Sequence, residues 1–338
     1  MPRPWDPDIT VTPALAASLV EQQFPALAPV RVERIGAGWD NAAYLVTPHG
    51  AAPGEAYVFR FPQRRFAAPL MENEMRILPV LAPFLPLPVP IPRFHGAPTD
   101  HYPYRFAGAR HIPGRTACSV TWTADQRAAN AATLGRFLAA LHAVSPGVTA
   151  PLGDEIGRAD LVKRAPLVRG WLDEIRGPLT TETRRTRRFD GDDFAELATK
   201  VDSLSTTAPA ATLCWVHGDL YARHLLVDDA NGTRGIIDWG DAHVGDPALD
   251  ISIAITFLPA EARPAFAAAY GAIDDATWDR AGFRAIHHGA ALSRYGLETG
   301  DEAILEVGEY ALRSALNLEP RPASQRPRPR GGGAPTPR

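Results

Sequence analysis

Between Leu213 and Asp250 the chain carries two aspartates, Asp219 and Asp238, on either side of what its residues mark as one β-hairpin. Two short apolar runs, Leu225 to Val227 and Gly235 to Ile237, flank Asp228 to Thr233, and Asn231-Gly232 is the strongest short-range signal for a hairpin turn. A hairpin sets its two open ends side by side. Asp219 stands just before the first run and Asp238 just after the second, so nineteen residues of sequence separation collapse to a few ångströms. One carboxylate can then take a proton while the other holds a metal ion.

Composition bounds the rest. A chain of 338 residues exceeds one average domain and suits two lobes with a sizeable core. Hydrophobic residues at 45% and charged residues at 22% are those of a soluble globular protein, and a net charge of -3 gives no reason to expect nucleic acid as partner. Cys118 and Cys214, the two cysteines, lie far apart, which argues against a disulfide framework and for a reducing, cytoplasmic location. The N-terminal residues lack a secretory pattern, and no stretch reaches the roughly eighteen apolar residues of a membrane span, so no membrane is expected as partner. The run Leu85 to Pro92, with proline at every second position from Pro86, suits neither helix nor central strand. The Pro-, Arg- and Gly-rich residues 319–338 read as a disordered tail.

Thr12-Pro13 marks a helix start, with Leu15, Leu19, Val20 and Phe24 on its apolar face. Strand-like runs follow at Val30 to Ile35, Ala42 to Thr47, Ala56 to Phe61, Ile91 to His95 and Tyr104 to Ala107, with a helix opened by Pro69 among them. After Gly114 the pattern turns helical: Ala124 to Val144, Leu161 to Ile175, Phe194 to Leu204, Pro247 to Leu258, Ala262 to Tyr270, Asp275 to Tyr295 and Glu302 to Leu318. Arg184, Arg185, Arg187 and Arg188 form either an anion-steering or a solvated loop.

The run His217-Gly218-Asp219-Leu-Tyr-Ala-Arg-His224, followed by Ile237-Asp238-Trp239, resembles the signature of the aminoglycoside phosphotransferase family, small-molecule kinases with a protein-kinase-like fold. His224 stands where most of that family has Asn, a variant more similar to its macrolide phosphotransferase branch. The resemblance implies an α+β, two-lobed fold: a nucleotide-binding lobe over residues 1–108 with a five-stranded antiparallel sheet plus helix, a hinge over 109–114, and a mainly helical catalytic and substrate-binding lobe over 115–318. It implies transfer of the γ-phosphoryl group of ATP or GTP, with Mg²⁺, to a hydroxyl of a small molecule such as an aminoglycoside or macrolide.

By position, Asp219 is the catalytic base and Asp238 the metal ligand, with His224 either a second ligand or a prop for the catalytic loop; imidazole suits Mg²⁺ poorly. Gly36, Gly38 and Asn41 belong to a glycine turn over the phosphates, Arg60 takes the place of the phosphate-gripping lysine, and Glu74 is its helix partner. Arg110 and Ile112 fall in the hinge, where backbone groups meet the purine. His217, Asp246 and Asp250 support the site, the last two bracing the loop and capping the helix at Pro247. Two patterns compete for the acceptor: an acidic lining of Glu298, Asp301, Glu302, Glu306 and Glu309, or an apolar wall of Trp278, Phe283 and Tyr295. Two other readings stay open: a catalytically weak nucleotide-binding protein, motivated by Arg60 and His224, and a metal-dependent hydrolase built on His217, Asp219, His224, Asp238 and His243.

Overall fold

The computed structural model describes residues 6–37, 40–52, 54–147, 153–154, 156–181 and 189–318. Gly38, the arginines 184–188 and the tail 319–338 lie outside them. The described chain falls into two compact units, the first drawn from Met1–Val120, Ala140–Gly153 and His217–Val244, the second from Thr121–Ala139, Asp154–Val216 and Gly245–Arg338. No described helix is long and apolar enough to cross a membrane.

In the first unit, helix α1 (Pro13–Gln23) begins where Thr12 Oγ1 accepts the Leu15 N–H at 3.2 Å, ahead of proline at the first helical position. Strands β1 (Val30–Ala37), β2 (Asn41–Pro48), β3 (Tyr57–Pro62), β4 (Pro92–Gly96) and β5 (Phe106–Arg110) form one antiparallel sheet in the order β1-β2-β3-β5-β4. Strand alternation sorts the side chains. Ala42, Tyr44 and Val46 of β2, with Phe59 and Phe61 of β3, join Ala16, Leu19 and Val20 of α1 in an aromatic-rich core. Phe59 and Phe61 are fully buried, and Phe61 stacks on Phe106 with centroids 4.8 Å apart.

Arg60, between those phenylalanines, therefore projects from the opposite face. There helix α2 (Ala67–Leu81) packs Met71 and Met75 against Ala107, the residue paired with Arg60 across the β3–β5 ladder. The sheet thus separates a greasy face from a face that carries charge.

The last strand departs from expectation. It runs to Arg110 rather than ending at Ala107, because Val58 and Tyr57 of β3 pair with Ala109 and Arg110. The hairpin exists, with strands Leu225–Val227 and Thr233–Ile236, but a two-residue Asn-Gly turn does not close it. Residues 228–232 close it around the Asp228 carboxylate, whose Oδ1 accepts the N–H groups of Ala230 (3.0 Å) and Gly232 (2.9 Å), while Asn231 takes a left-handed φ of 61°.

The second unit is helical. Helices Leu161–Thr181, Gly191–Ser205, Asp275–Thr299 and Glu302–Leu316 enclose a core that includes Val168, Leu172, Leu197, Phe283, Ile286 and Leu312. The last two cross closely: a Cβ on Gly296 would lie 2.6 Å from Leu305 Cβ, and Gly300, at a left-handed φ of 73°, joins them. Two expected helices are broken. Ala124–Ala128 and Ala131–His142 are separate because the chain turns at Asn130, whose Nδ2 donates back to the Gln126 carbonyl at 2.8 Å. The segment after Pro247 forms two single turns, Ala248–Ile251 and Ile253–Thr256, interrupted at Ser252, whose hydroxyl donates to the Leu249 carbonyl.

Candidate active site

The open end of the hairpin gathers charge from four parts of the first unit. Arg60 of β3 donates through Nη1 to Asp238 Oδ1 at 2.9 Å and through Nη2 to Glu74 Oε2 of α2. Glu74, 2% exposed, also accepts the Trp239 N–H at 3.0 Å. One turn of α2 therefore holds both the arginine and the chain just after Asp238. Asn73 extends this hold, donating through Nδ2 to the carbonyls of Gly240 (3.0 Å) and Ala242 (2.8 Å). Asn73 escaped the sequence reading; its only signal was adjacency to Glu74. Gly240 permits the approach, since a Cβ there would meet Leu70 Cβ at 3.0 Å.

His224 ties the two feet of the ribbon together. Its Nδ1 bonds the Asp219 carbonyl at 2.8 Å and its Nε2 lies 3.3 Å from Asp238 Oδ2. Satisfying both acceptors requires two N–H donors, which is the imidazolium. Burial works against that charge, but the hydrogen bond and charge of Asp238, with Asp219, prevail and raise the His224 pKa. Burial likewise opposes ionisation of Asp238, and the His224 hydrogen bond, with the charges of His224, Arg60 and His217, outweighs it and holds the carboxyl well below the usual carboxylate range. The side chain of Asp238 is 44% exposed, so this carboxylate is ionised and open to solvent, with a left-handed φ of 65°.

His217 is fully buried and both ring nitrogens serve backbone: Nδ1 accepts the Asp219 N–H at 3.3 Å and Nε2 donates to the Ile237 carbonyl at 3.0 Å. It fixes the loop before one aspartate to the residue before the other. Asp219 itself is half-buried. His243 donates through Nδ1 to the Asp241 carbonyl at 2.8 Å. Both ring nitrogens of His217 serve backbone, and among the described residues no three His, Cys, Asp or Glu side chains are arranged to hold a metal, which argues against the hydrolase reading.

The remaining candidates spread outward. Gly36 lies in β1 beside the irregularity between Arg34 and Gly36, and Asn41 opens β2 with its Oδ1 buried. Asp40, next to Asn41, is ion-paired with Arg64; burial raises its pKa, Arg64 opposes, and Asp238 and Asp241 add to the rise, which places all three carboxylates in one electrostatic neighbourhood. Arg110 is exposed at the end of β5. Ile112 touches the hairpin, 3.0 Å from where a Gly235 Cβ would stand, and beside it the Pro88 carbonyl accepts the Ile236 N–H at 3.1 Å. The proline-rich run thus fastens the hairpin strand that leads to Asp238.

Asp246 and Asp250 belong to the second unit. Asp246 Oδ1 accepts the Ala248 N–H at 2.9 Å and the carboxylate takes two bonds from Arg280, at 2.6 and 3.3 Å, whereas Asp250 sits inside the short helix, fully buried. The acidic residues near the C-terminus do not share one surface role: Asp301 caps Glu302–Leu316 by accepting the Ile304 N–H, and Glu309 is buried against Arg313. Phe283 is core, while Trp278 and Tyr295 are half-buried.

A strand arginine gripped by a helix glutamate, set against aspartates at the feet of one ribbon, is the layout of a kinase-like phosphotransferase. The model described as the phosphotransferase enzyme family matches residues 31–286, and the chain belongs to that family. Among solved structures it is similar to the GDP complex of wild-type aminoglycoside 2'-phosphotransferase-IIIa, with 23% identity, a TM-score of 0.63 and coverage of 90% of this chain and 99% of that one. It is also similar to the apoenzyme of macrolide 2'-phosphotransferase MphH from Brachybacterium faecium, with 22% identity, a TM-score of 0.55 and coverage of 90% and 99%. A streptomycin-ATP-APH(2")-IIa ternary complex follows at 17% identity, a TM-score of 0.53 and coverage of 91% and 99%. At such identities the likeness establishes the fold: mixed helix and strand, a five-stranded antiparallel N-terminal sheet and a helical C-terminal region. A comparison with curated proteins returned no match.

Proposed function

We propose that the chain transfers the γ-phosphoryl group of ATP or GTP to a hydroxyl of a small molecule, an antibiotic of the aminoglycoside or macrolide type being the acceptor class that the names of its structural neighbours favour. The observation that carries this reading is the double bridge at Asp238, where Arg60 binds one carboxylate oxygen and His224 joins the other to the Asp219 backbone. In this reading Asp219 orients the acceptor hydroxyl and takes its proton, a contribution of about 10²- to 10⁴-fold in rate. Arg60 supplies a permanent positive charge for the phosphates: burial alone would lower its pKa, and Glu74 with Asp238 carries it upward. His217 and His224 hold the two aspartates in register.

Mg²⁺ fits Asp238, an ionised, half-exposed hard-oxygen ligand, better than it fits the His224 ring. Bound there, it would neutralise charge on the phosphate oxygens. The second reading, a weak or inactive nucleotide-binding protein, is favoured by one observation: both Asp238 oxygens already carry cationic partners. A mass-spectrometric screen of aminoglycosides, macrolides and small sugar and amino alcohols, each with Mg-ATP and Mg-GTP, separates the two. Addition of one phosphoryl group to an acceptor supports transfer. Tight nucleotide binding without product from any acceptor supports the second reading.

A further inference from the structure

The turn between β1 and β2, expected to lie over phosphates, is followed directly by an acid, Asp40. Its neighbour Asn41 opens β2 opposite Pro62 of β3. A carboxylate so placed repels the phosphates that the turn is to hold, and the repulsion is large where water is partly excluded. Arg60 is already shared by two other acids, Glu74 and Asp238. Asp40 needs a cation of its own.

Arg64 is that cation. It donates through Nη2 to Asp40 Oδ1, and with side chains only 15% and 28% exposed the pair is partly withdrawn from solvent. Burial raises the Asp40 pKa, Arg64 opposes the rise, and Asp238 and Asp241 add to it. The arginine is brought there by contacts that do not involve its guanidinium. The Gln63 N–H donates to the Asp40 carbonyl at 2.8 Å, and the Gln63 carbonyl accepts the N–H groups of Asp8 (2.8 Å) and Ile9 (3.1 Å). Asp8 Oδ2 accepts the Arg65 N–H at 2.7 Å, and the Arg64 carbonyl accepts the Ala67 N–H at 3.0 Å where α2 begins. Backbone on both sides of Arg64 is therefore anchored whether or not the ion pair forms.

Resting on the nucleotide reading above, we propose that Arg64 is a positioning residue that acts through Asp40, neutralising and holding its carboxylate so that the turn can accept the phosphates of a nucleoside di- or triphosphate. The base and sugar carry no charge for Asp40 to repel. Loss of the guanidinium leaves the acid unpaired, and loss of both partners together removes the conflict.

The test is titration calorimetry of the full chain with Mg-ADP and adenosine, and with Mg-GDP and guanosine, in the wild type, Arg64→Gln, Asp40→Asn and the double variant. Arg64→Gln should bind the preferred diphosphate about tenfold more weakly, the loss expected for one charge-assisted interaction, and bind the nucleoside as the wild type does. Asp40→Asn should bind the diphosphate at least as tightly as the wild type, and the double variant should recover to within about twofold of it. Arg64→Lys, which keeps the charge, guards against a folding defect in the glutamine variant and should stay close to the wild type. A role in folding alone would weaken nucleoside and diphosphate together, and removing the acid would not relieve it. Equal loss for the two ligands in Arg64→Gln, or a double variant that binds diphosphate no better than Arg64→Gln, overturns the proposal alone. A wild-type chain that binds neither diphosphate overturns the transfer reading and the proposal with it.

Discussion

Replacing Glu74 separates two tasks that its carboxylate performs at once. It grips Arg60 and accepts the Trp239 N–H at 3.0 Å, on a tryptophan that is fully buried. Glutamine keeps an oxygen for Trp239 and gives up the charge that faces Arg60. The loss is that of one charge-assisted hydrogen bond, about 1.5 to 3 kcal/mol, toward the lower end because Arg60 keeps Asp238. Alanine removes the acceptor as well and leaves a buried N–H unpaired, so the total approaches the 3 to 5 kcal/mol of a broken buried pair.

The predicted order is therefore wild type, Glu74→Gln, Glu74→Ala, with Mg-nucleotide affinity falling about tenfold at the first step, where 1.4 kcal/mol is a factor of ten. Titration calorimetry reads this directly. Amide hydrogen exchange at Trp239 provides the local check: protection should survive in the glutamine variant and fall sharply in the alanine variant. Nucleotide affinity within about twofold of wild type in a folded Glu74→Gln protein would refute the idea that Glu74 sets Arg60 for phosphate, since RT ln 2 is about 0.4 kcal/mol.

Asp219→Asn should retain nucleotide affinity and lose transfer to any acceptor; equal loss of binding and turnover would count against its role as base. His224→Asn removes the imidazolium from Asp238 Oδ2 and offers an amide oxygen instead, so the Mg²⁺ concentration giving half-maximal Mg-ADP binding should fall severalfold; an unchanged or higher midpoint would mean that the ring does not compete for Asp238. Gly108→Ala would set a Cβ 2.5 Å from the fully buried Phe59 ring and should destabilise the first unit by about 2 kcal/mol through overpacking, read as a lower denaturant midpoint.

Legibility in the sequence followed the range of the force involved. The strands of the sheet were readable because alternation of side chains is a local property, while the inward face of Tyr44, Val46, Phe59 and Phe61 emerged only in the fold. Thr12-Pro13 likewise fixed the start of α1. Ends and interruptions were less readable. The last strand extends to Arg110 because β3 offers partners, and the helix expected from Ala124 breaks at Asn130 through a side-chain bond that competes with the backbone. The hairpin and its turn region were placed correctly, with Asn231 in the left-handed conformation, but the part of the Asp228 carboxylate in organising the loop was not read from the sequence.

Sequence by itself determined the ribbon and the positions of Asp219 and Asp238 at its two feet, because both follow from spacing along one hairpin, whereas Arg60 was assigned only through the family resemblance. Tertiary structure alone decided what these groups touch. Arg60 reaches Asp238 across 178 residues, Glu74 reaches Trp239 across 165, and Asn73 reaches Ala242 across 169. Contacts at such separations depend on how α2 docks beside the hairpin, and docking is set by the summed packing of many apolar residues, each of which is common to countless other folds. The same holds for His224: its residue type was plain in the sequence, but only the folded loop could turn both of its nitrogens toward acceptors and make it the strut between the two aspartates.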